Sequence, residues 1–303
     1  MKKLLWGLAA IAIFTACGGG NKPSTEDLNN VLEQQDSASN DPGLPPEVIN
    51  EFMNALPSPL ETSVALKQSG IPFNSDFLND PDKVSQYNSQ FSQAMNLGVY
   101  GADLGYANVY QQNQEALLRL DAIRDLANAL SIGQFFEIAT IKRLATQSSN
   151  LDSLLLITTQ NFNQINSHLQ ERKRSSLSVM LLAGGWVEAL YITCEIASLQ
   201  PENKDLMDKV AEQKVVCDNI KFLLELFAGS SPYINDLYQQ ILTLNGEFEN
   251  IEIVTTYGEQ KVIINDDGTA TIIDDTKQTI KVTKENIADI TKIVRQIRGS
   301  IVK

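Results

Sequence analysis

The chain holds 303 residues, enough for one large or two modest domains, and its 43% apolar and 20% charged residues are ordinary for a globular protein. A formal charge of −13 argues against nucleic acid as a partner. One histidine (His168) and three cysteines form no C-x-x-C, H-E-x-x-H or paired-histidine pattern, so neither a metal centre nor a cofactor is expected.

Met1–Cys17 reads MKKLLWGLAAIAIFTAC. Two lysines precede an apolar run from Leu4 to Ala16 that is too short to span a bilayer comfortably. Small residues stand just before Cys17. Charge, apolar length and cysteine position together resemble a bacterial lipoprotein signal, and the glycines that follow are similar to those of Bacteroidota lipoproteins. The resemblance implies cleavage after residue 16, a palmitate-type acyl chain on Cys17 and a mature protein held on a membrane. Several acyl chains anchor far better than one, since each buried methylene adds about 0.8 kcal/mol. Loss of Lys2 and Lys3 with the signal moves the formal charge from −13 to −15. In that group acidic residues directly after the cysteine mark export to the cell surface. Gly18, Gly19, Gly20, Asn21 and Lys22 stand there instead, so the expected address is the outer membrane, facing the periplasm. Residues 17–45, rich in Gly, Asn, Ser, Asp and Pro, read as a flexible tether.

A helical body is expected over residues 46–256. Pro46–Ala55 suggests a short helix, and prolines and Gly70 break up Pro57–Asn79. Asp80-Pro81-Asp82 is a helix start, with an N-cap aspartate and proline in the first turn. It is expected to launch one helix over Val84–Val109. That helix has a seam of Val84, Tyr87, Phe91, Ala94, Gly98, Gly101, Gly105 and Asn108. Each interior glycine costs about 1 kcal/mol relative to alanine, so a close-packed neighbour is required. Leu182, Gly184, Gly185, Trp186, Glu188, Tyr191 and Glu195 echo the pattern and identify that neighbour. Between the two, Ala116–Leu130 is closed by Gly133, Gln134–Ser148 is a shorter helix, and Leu151–Leu169 ends in Arg172-Lys173-Arg174. Ser175 or Ser176 is expected to cap the second glycine helix, which runs to about Leu199. Leu206–Phe227 and Ile234–Ile251 complete the body. Such seams on short connections predict a mainly all-α fold, an antiparallel bundle or helical-repeat array.

Residues 257–303 differ in character. Val262–Ile264 and Thr269–Ile273 flank Asn265-Asp266-Asp267-Gly268, a hairpin signal. Thr279–Val282 suggests a third strand, and Thr283 caps a terminal helix with Ile287, Ile290, Val294, Ile297 and Ile301 on its apolar face. Gly246–Asp275 carries a net −7 and Lys277–Lys303 a net +5. The basic helix is therefore expected to fold back on acidic neighbours, with contact to anionic lipid as the alternative.

The candidate ligand-binding residues are Asp103, Tyr106 and Tyr110 on the first glycine helix and Trp186, Glu188 and Tyr191 on the second. If the helices cross at their glycines, Asp103 and Glu188 face each other. Paired carboxylates in a tyrosine-lined cleft suit sugar binding or glycoside hydrolysis, one acid raised in pKa beside one ionised. The bland counterpart is a buried polar network that specifies packing. His168 reads as a surface residue. Cys194 and Cys217 fall roughly 13 Å apart along antiparallel helices, beyond the 7 Å or so between α-carbons that a disulfide tolerates, so two free thiols are expected. The functional expectation is a non-enzymatic envelope lipoprotein that binds or scaffolds an envelope protein or small ligand. The alternatives are a glycan-binding lipoprotein and a hydrolase using Asp103 and Glu188.

Overall fold

Asp80 does cap a helix, but a short 3-10 one. Its carboxylate accepts the Asp82 N–H at 3.0 Å, and the turn covers only Pro81–Gln86. Tyr87 then turns extended and sends its ring into the core. The glycine-bearing helix starts afresh at Gln90, where Ser89 and Ser92 form a reciprocal capping box. The single helix from Val84 is thus corrected to two pieces, separated by a tyrosine that anchors the break.

The computed structural model describes Ser63 and residues 66–145, 151–256, 260–264, 270–274 and 277–303. The lipoprotein signal, Cys17, the tether, the Pro46–Ala55 helix and the hairpin turn at Asn265–Gly268 lie outside the described residues. The described residues all belong to one compact unit, Ser39–Lys303.

In chain order the helices are α1 (Gln90–Val109), α2 (Asn113–Ala129), α3 (Ile138–Ala145), α4 (Leu151–Glu171), α5 (Ser175–Leu199), α6 (Lys204–Ala211), α7 (Gln213–Phe227), α8 (Pro232–Phe248) and α9 (Lys284–Ile301). Among the described residues four strands stand between α8 and α9: β1 (Glu252–Thr256), β2 (Gln260–Ile264), β3 (Ala270–Asp274) and β4 (Lys277–Lys281). This is the mainly all-α class expected, with a small β element and a terminal helix. The hairpin is β2–β3, with Ile264 opposite Ala270. The strand expected as a third is the fourth, because Glu252–Thr256 pairs antiparallel with it, Glu252 opposite Lys281. The β-branched run Ile253-Val254-Thr255-Thr256 favours a strand over a continued helix. Helix α8 accordingly stops at Phe248, with Ile251 buried just beyond.

Several boundaries shift for local reasons. Gly133 does not close α2. Ser131 does, in the left-handed region at φ 59°, with the Ile132 N–H reaching back to the Ala127 carbonyl at 2.9 Å. Neither Ser175 nor Ser176 caps α5, because the N-cap position falls on Arg174, directly after left-handed Lys173 has ended α4. The expected Leu206–Phe227 helix is two, α6 and α7, meeting at Glu212.

Helix α5 organises the bundle, packing against α1, α4, α6, α7 and α9. It is apolar on nearly every side, as a helix surrounded by others must be. Its mean hydropathy of 1.6 and length also fit a membrane span, but 83% of its most apolar window is buried inside the protein. It is a core helix.

The crossing of α1 and α5 is where glycine is obligatory. A Cβ on Gly98 would meet the Leu181 carbonyl oxygen at 2.0 Å, and one on Gly184 would meet the Met95 carbonyl oxygen at 2.1 Å. Both obstacles are backbone and cannot rotate away. Gly101, expected on the same seam, is exposed with open space around it. The contact is therefore one tight crossing at Gly98 and Gly184-Gly185, not a stripe of three glycines. Two substitutions should have opposite signs. Gly184→Ala should destabilise by roughly 1–3 kcal/mol through overpacking, and Gly101→Ala should stabilise by about 0.5–1 kcal/mol through helix propensity. Urea unfolding of both variants checks this; equal effects would contradict the crossing.

Candidate functional site

One turn beyond the crossing, α1 carries Asp103 and α5 carries Glu188, both with no exposed surface. The two carboxyls are close enough to share a hydrogen. The crossing thus does bring the two acids face to face. Asp103 Oδ2 accepts the Asn79 N–H at 2.9 Å, and no donor from another residue reaches Oδ1, so a hydrogen shared with Glu188 is the partner open to it. Glu188 is held from its far side by Arg298 on α9. The guanidinium Nε donates to Oε2 and NH2 to Oε1, each at 3.0 Å. The same NH2 reaches the Phe77 carbonyl at 3.3 Å, and the guanidinium carbon lies 4.7 Å over the Tyr191 ring.

Two hydrogen-bonded carboxyls in a dry interior cannot both be charged. Burial first, then the charge of Glu188, push the Asp103 carboxyl well above the ordinary carboxylate range. Burial also raises Glu188, but Arg298 opposes the shift, so Glu188 is the ionised member and Asp103 holds the proton. The charges then balance without Asp103: Glu188 with Arg298, and Glu115 with buried Arg119. Because the folded state holds this proton more tightly than an unfolded chain does, its stabilising contribution is complete below the ordinary aspartate range. It is lost as pH rises towards the raised value.

Amides extend the network. Asn79 donates through Nδ2 to the Tyr87 hydroxyl at 3.0 Å and to Asn96 Oδ1 at 3.4 Å, while its carbonyl accepts from Arg119 at 3.1 Å. Asn96 in turn donates to the Ile301 carbonyl at 3.0 Å. Lys83 donates to the Val302 carbonyl at 2.8 Å.

The other sequence candidates lie elsewhere. Tyr106 and Tyr110 form a separate cluster with Phe73, with centroids 5.2 Å apart for the stacked Phe73–Tyr106 pair and 4.9 Å for the tilted Tyr106–Tyr110 pair. The Tyr106 hydroxyl accepts the Asn74 N–H at 3.2 Å, and burial pushes its pKa up to about 12. Trp186 is buried and donates its indole N–H to Gln213 at 3.1 Å. These six residues therefore line no common open cleft. Cys194 and Cys217 are free and buried, each thiol pushed by burial up to about 12. Among the described residues no group of His, Cys, Asp and Glu has the arrangement to hold a metal ion.

The basic terminal helix does fold back on acidic neighbours. Arg295 clasps Glu195 at 2.6 and 2.8 Å, and Lys284 pairs with Glu202. Nothing in the sequence of the +5 tail singles out Arg298, which flanks the Val294–Ile297–Ile301 face and so reaches the core. Asn79, Asn96 and Arg119 carried no motif and were missed.

An open pocket of about 380 Å³ lies apart from this network, lined by Phe135, Asn163, Gln164, Ser167, His168 and Glu171. The Phe135 and His168 rings are 4.8 Å apart at their centroids, and His168 is half-buried.

Comparison with protein-family profiles, curated proteins and solved structures yields no match for this chain.

Removing Arg298 leaves an uncompensated charge in the core. Arg298→Met should cost about 3–5 kcal/mol in urea unfolding, and adding Glu188→Gln should recover more than half of it. A loss under about 1 kcal/mol, the size of an ordinary surface pair, would contradict this reading of the network.

Proposed function

We propose that this chain is an envelope lipoprotein, tethered through an acylated Cys17, whose helical body is a non-enzymatic binding or scaffolding module. One observation carries the non-enzymatic part. The most enzyme-like pair in the chain, Asp103 and Glu188, is fully buried, hydrogen-bonded to itself and tied to Arg298. Glycoside hydrolases hold their two carboxyls about 5–9.5 Å apart with substrate between them. A directly bonded pair is closer than that and leaves no room for a sugar. The tether rests on the lysine, apolar-run and cysteine pattern of Met1–Cys17, and its acyl chains are the contact with membrane. The absence of acids directly after Cys17 supports the periplasmic face of the outer membrane.

Metabolic labelling with an alkyne fatty acid tests the anchor. The native protein should take up label and pellet with membranes, and Cys17→Ala should lose both properties. A Cys17→Ala protein that still labels would sink the proposal.

Glycan or small-ligand capture is the second reading, favoured by the open pocket at Phe135. Its volume falls within the range of small-molecule sites. Its lining offers amide, hydroxyl, imidazole and carboxylate groups beside one aromatic ring, a set able to recognise hydroxyl-rich ligands. A thermal-shift panel of envelope sugars and peptides tests it. A ligand at a hundred times its dissociation constant should add about 2.7 kcal/mol, and Phe135→Ala should abolish the shift. No shift across the panel leaves protein partners as the module's role.

A further inference from the structure

Helix α9 is held in two ways along its length. Ile287, Ile290, Thr291, Val294, Ile297 and Ile301 are buried along the helix, and the last turn is held by polar contacts as well. Two hydrogen-bond routes lead from Asp103 to that turn. One runs through Glu188 to Arg298. The other runs through Asn79 and Asn96 to the Ile301 carbonyl. Arg298 closes the ring by reaching Phe77, two residues before Asn79. The end of α9, the segment before α1, α1 itself and α5 thus all meet at one carboxyl–carboxyl hydrogen bond.

We propose that the last turn of α9 is a proton-dependent clasp, seated while Asp103 and Glu188 share one hydrogen and loosened when that hydrogen leaves. Deprotonation replaces the hydrogen bond with two like charges in contact, facing the single guanidinium that Glu188 already occupies. Asp103 then competes with Glu188 for Arg298, and both routes to the turn are disturbed together. The charged and titratable groups around the pair are Arg119 on α2, Tyr87 after the Pro81–Gln86 turn, Tyr100 on α1, Tyr191 on α5 and Arg298 on α9. Arg119 is engaged by Glu115 and the Asn79 carbonyl. Burial raises all three tyrosines above their ordinary value, so they keep their protons while the acid pair titrates. The shared hydrogen is therefore the first to go on the alkaline side. The apolar face, Ile301 included, keeps α9 docked, so the loosening is confined to the hydrogen bonds of the last turn.

Hydrogen exchange on the full chain, corrected for the intrinsic pH dependence of amide exchange, tests this clasp. Between about pH 5 and pH 9, protection in residues 298–303 of the native protein should fall about ten-fold or more, while α8 stays unchanged. Asp103→Asn keeps the hydrogen-bonding pattern of the protonated acid and should make protection independent of pH. Glu188→Gln, with only one acid left opposite Arg298, should do the same. A flat profile in the native protein overturns the proposal. So does a fall that persists in both variants, or one shared equally by α8.

Discussion

A carboxylate on the most buried helix of a bundle must find its counter-charge inside the protein, and Glu188 on α5 sets that requirement here. Its two oxygens are occupied by the two arms of Arg298, which brings the end of the chain into the centre. Its other neighbour is a second acid, which is tolerable only as a neutral group. An apolar residue at position 188 would make a bundle without this demand. Replacing buried ion pairs with hydrophobic side chains is often neutral or stabilising. The acid, its partner acid and the guanidinium thus act chiefly as a specification of which elements meet and in what register.

The close approach of α1 and α5 makes that specification possible. Main-chain atoms of Met95 and Leu181 sit where side chains on Gly184 and Gly98 would otherwise lie. With the backbones this close, residues one turn further on are brought into hydrogen-bonding contact, and the short side chain of Asp103 suffices. The same closeness dehydrates the pair, which strengthens every interaction within it. Packing and electrostatics are therefore a single constraint, in which glycines set the distance and the distance sets who holds the proton.

The core network is closed, whereas the open concavity lies between Phe135 and the C-terminal half of α4, among residues that carry no recognisable motif. The envelope module proposed for this chain needs a rigid body on a tether more than it needs an accessible pair of acids. In that arrangement the polar centre keeps the body in one shape, and recognition is left to the surface.

The sequence by itself determined the helical class, the need of the two glycine helices for a close neighbour, the β2–β3 hairpin and the Thr283 cap; it offered the meeting of Asp103 with Glu188 only on condition that those helices cross. Each follows from local periodicity or from a residue whose backbone chemistry permits little else. It did not disclose which of the seven bases after Asp275 enters the core, because Arg298 differs from Arg295 only in what another element places opposite it. Nor did it mark Asn79, whose main-chain N–H and side chain matter only once the chain before α1 has folded across Asp103. It left Trp186 and Tyr106 open between core and cleft, and the tertiary structure put both in the interior, because an aromatic ring on a helix looks the same in sequence whether a neighbour covers it or not. Exposure, protonation and long-range pairing are decided by what packs against a residue, and only the assembled bundle supplies that.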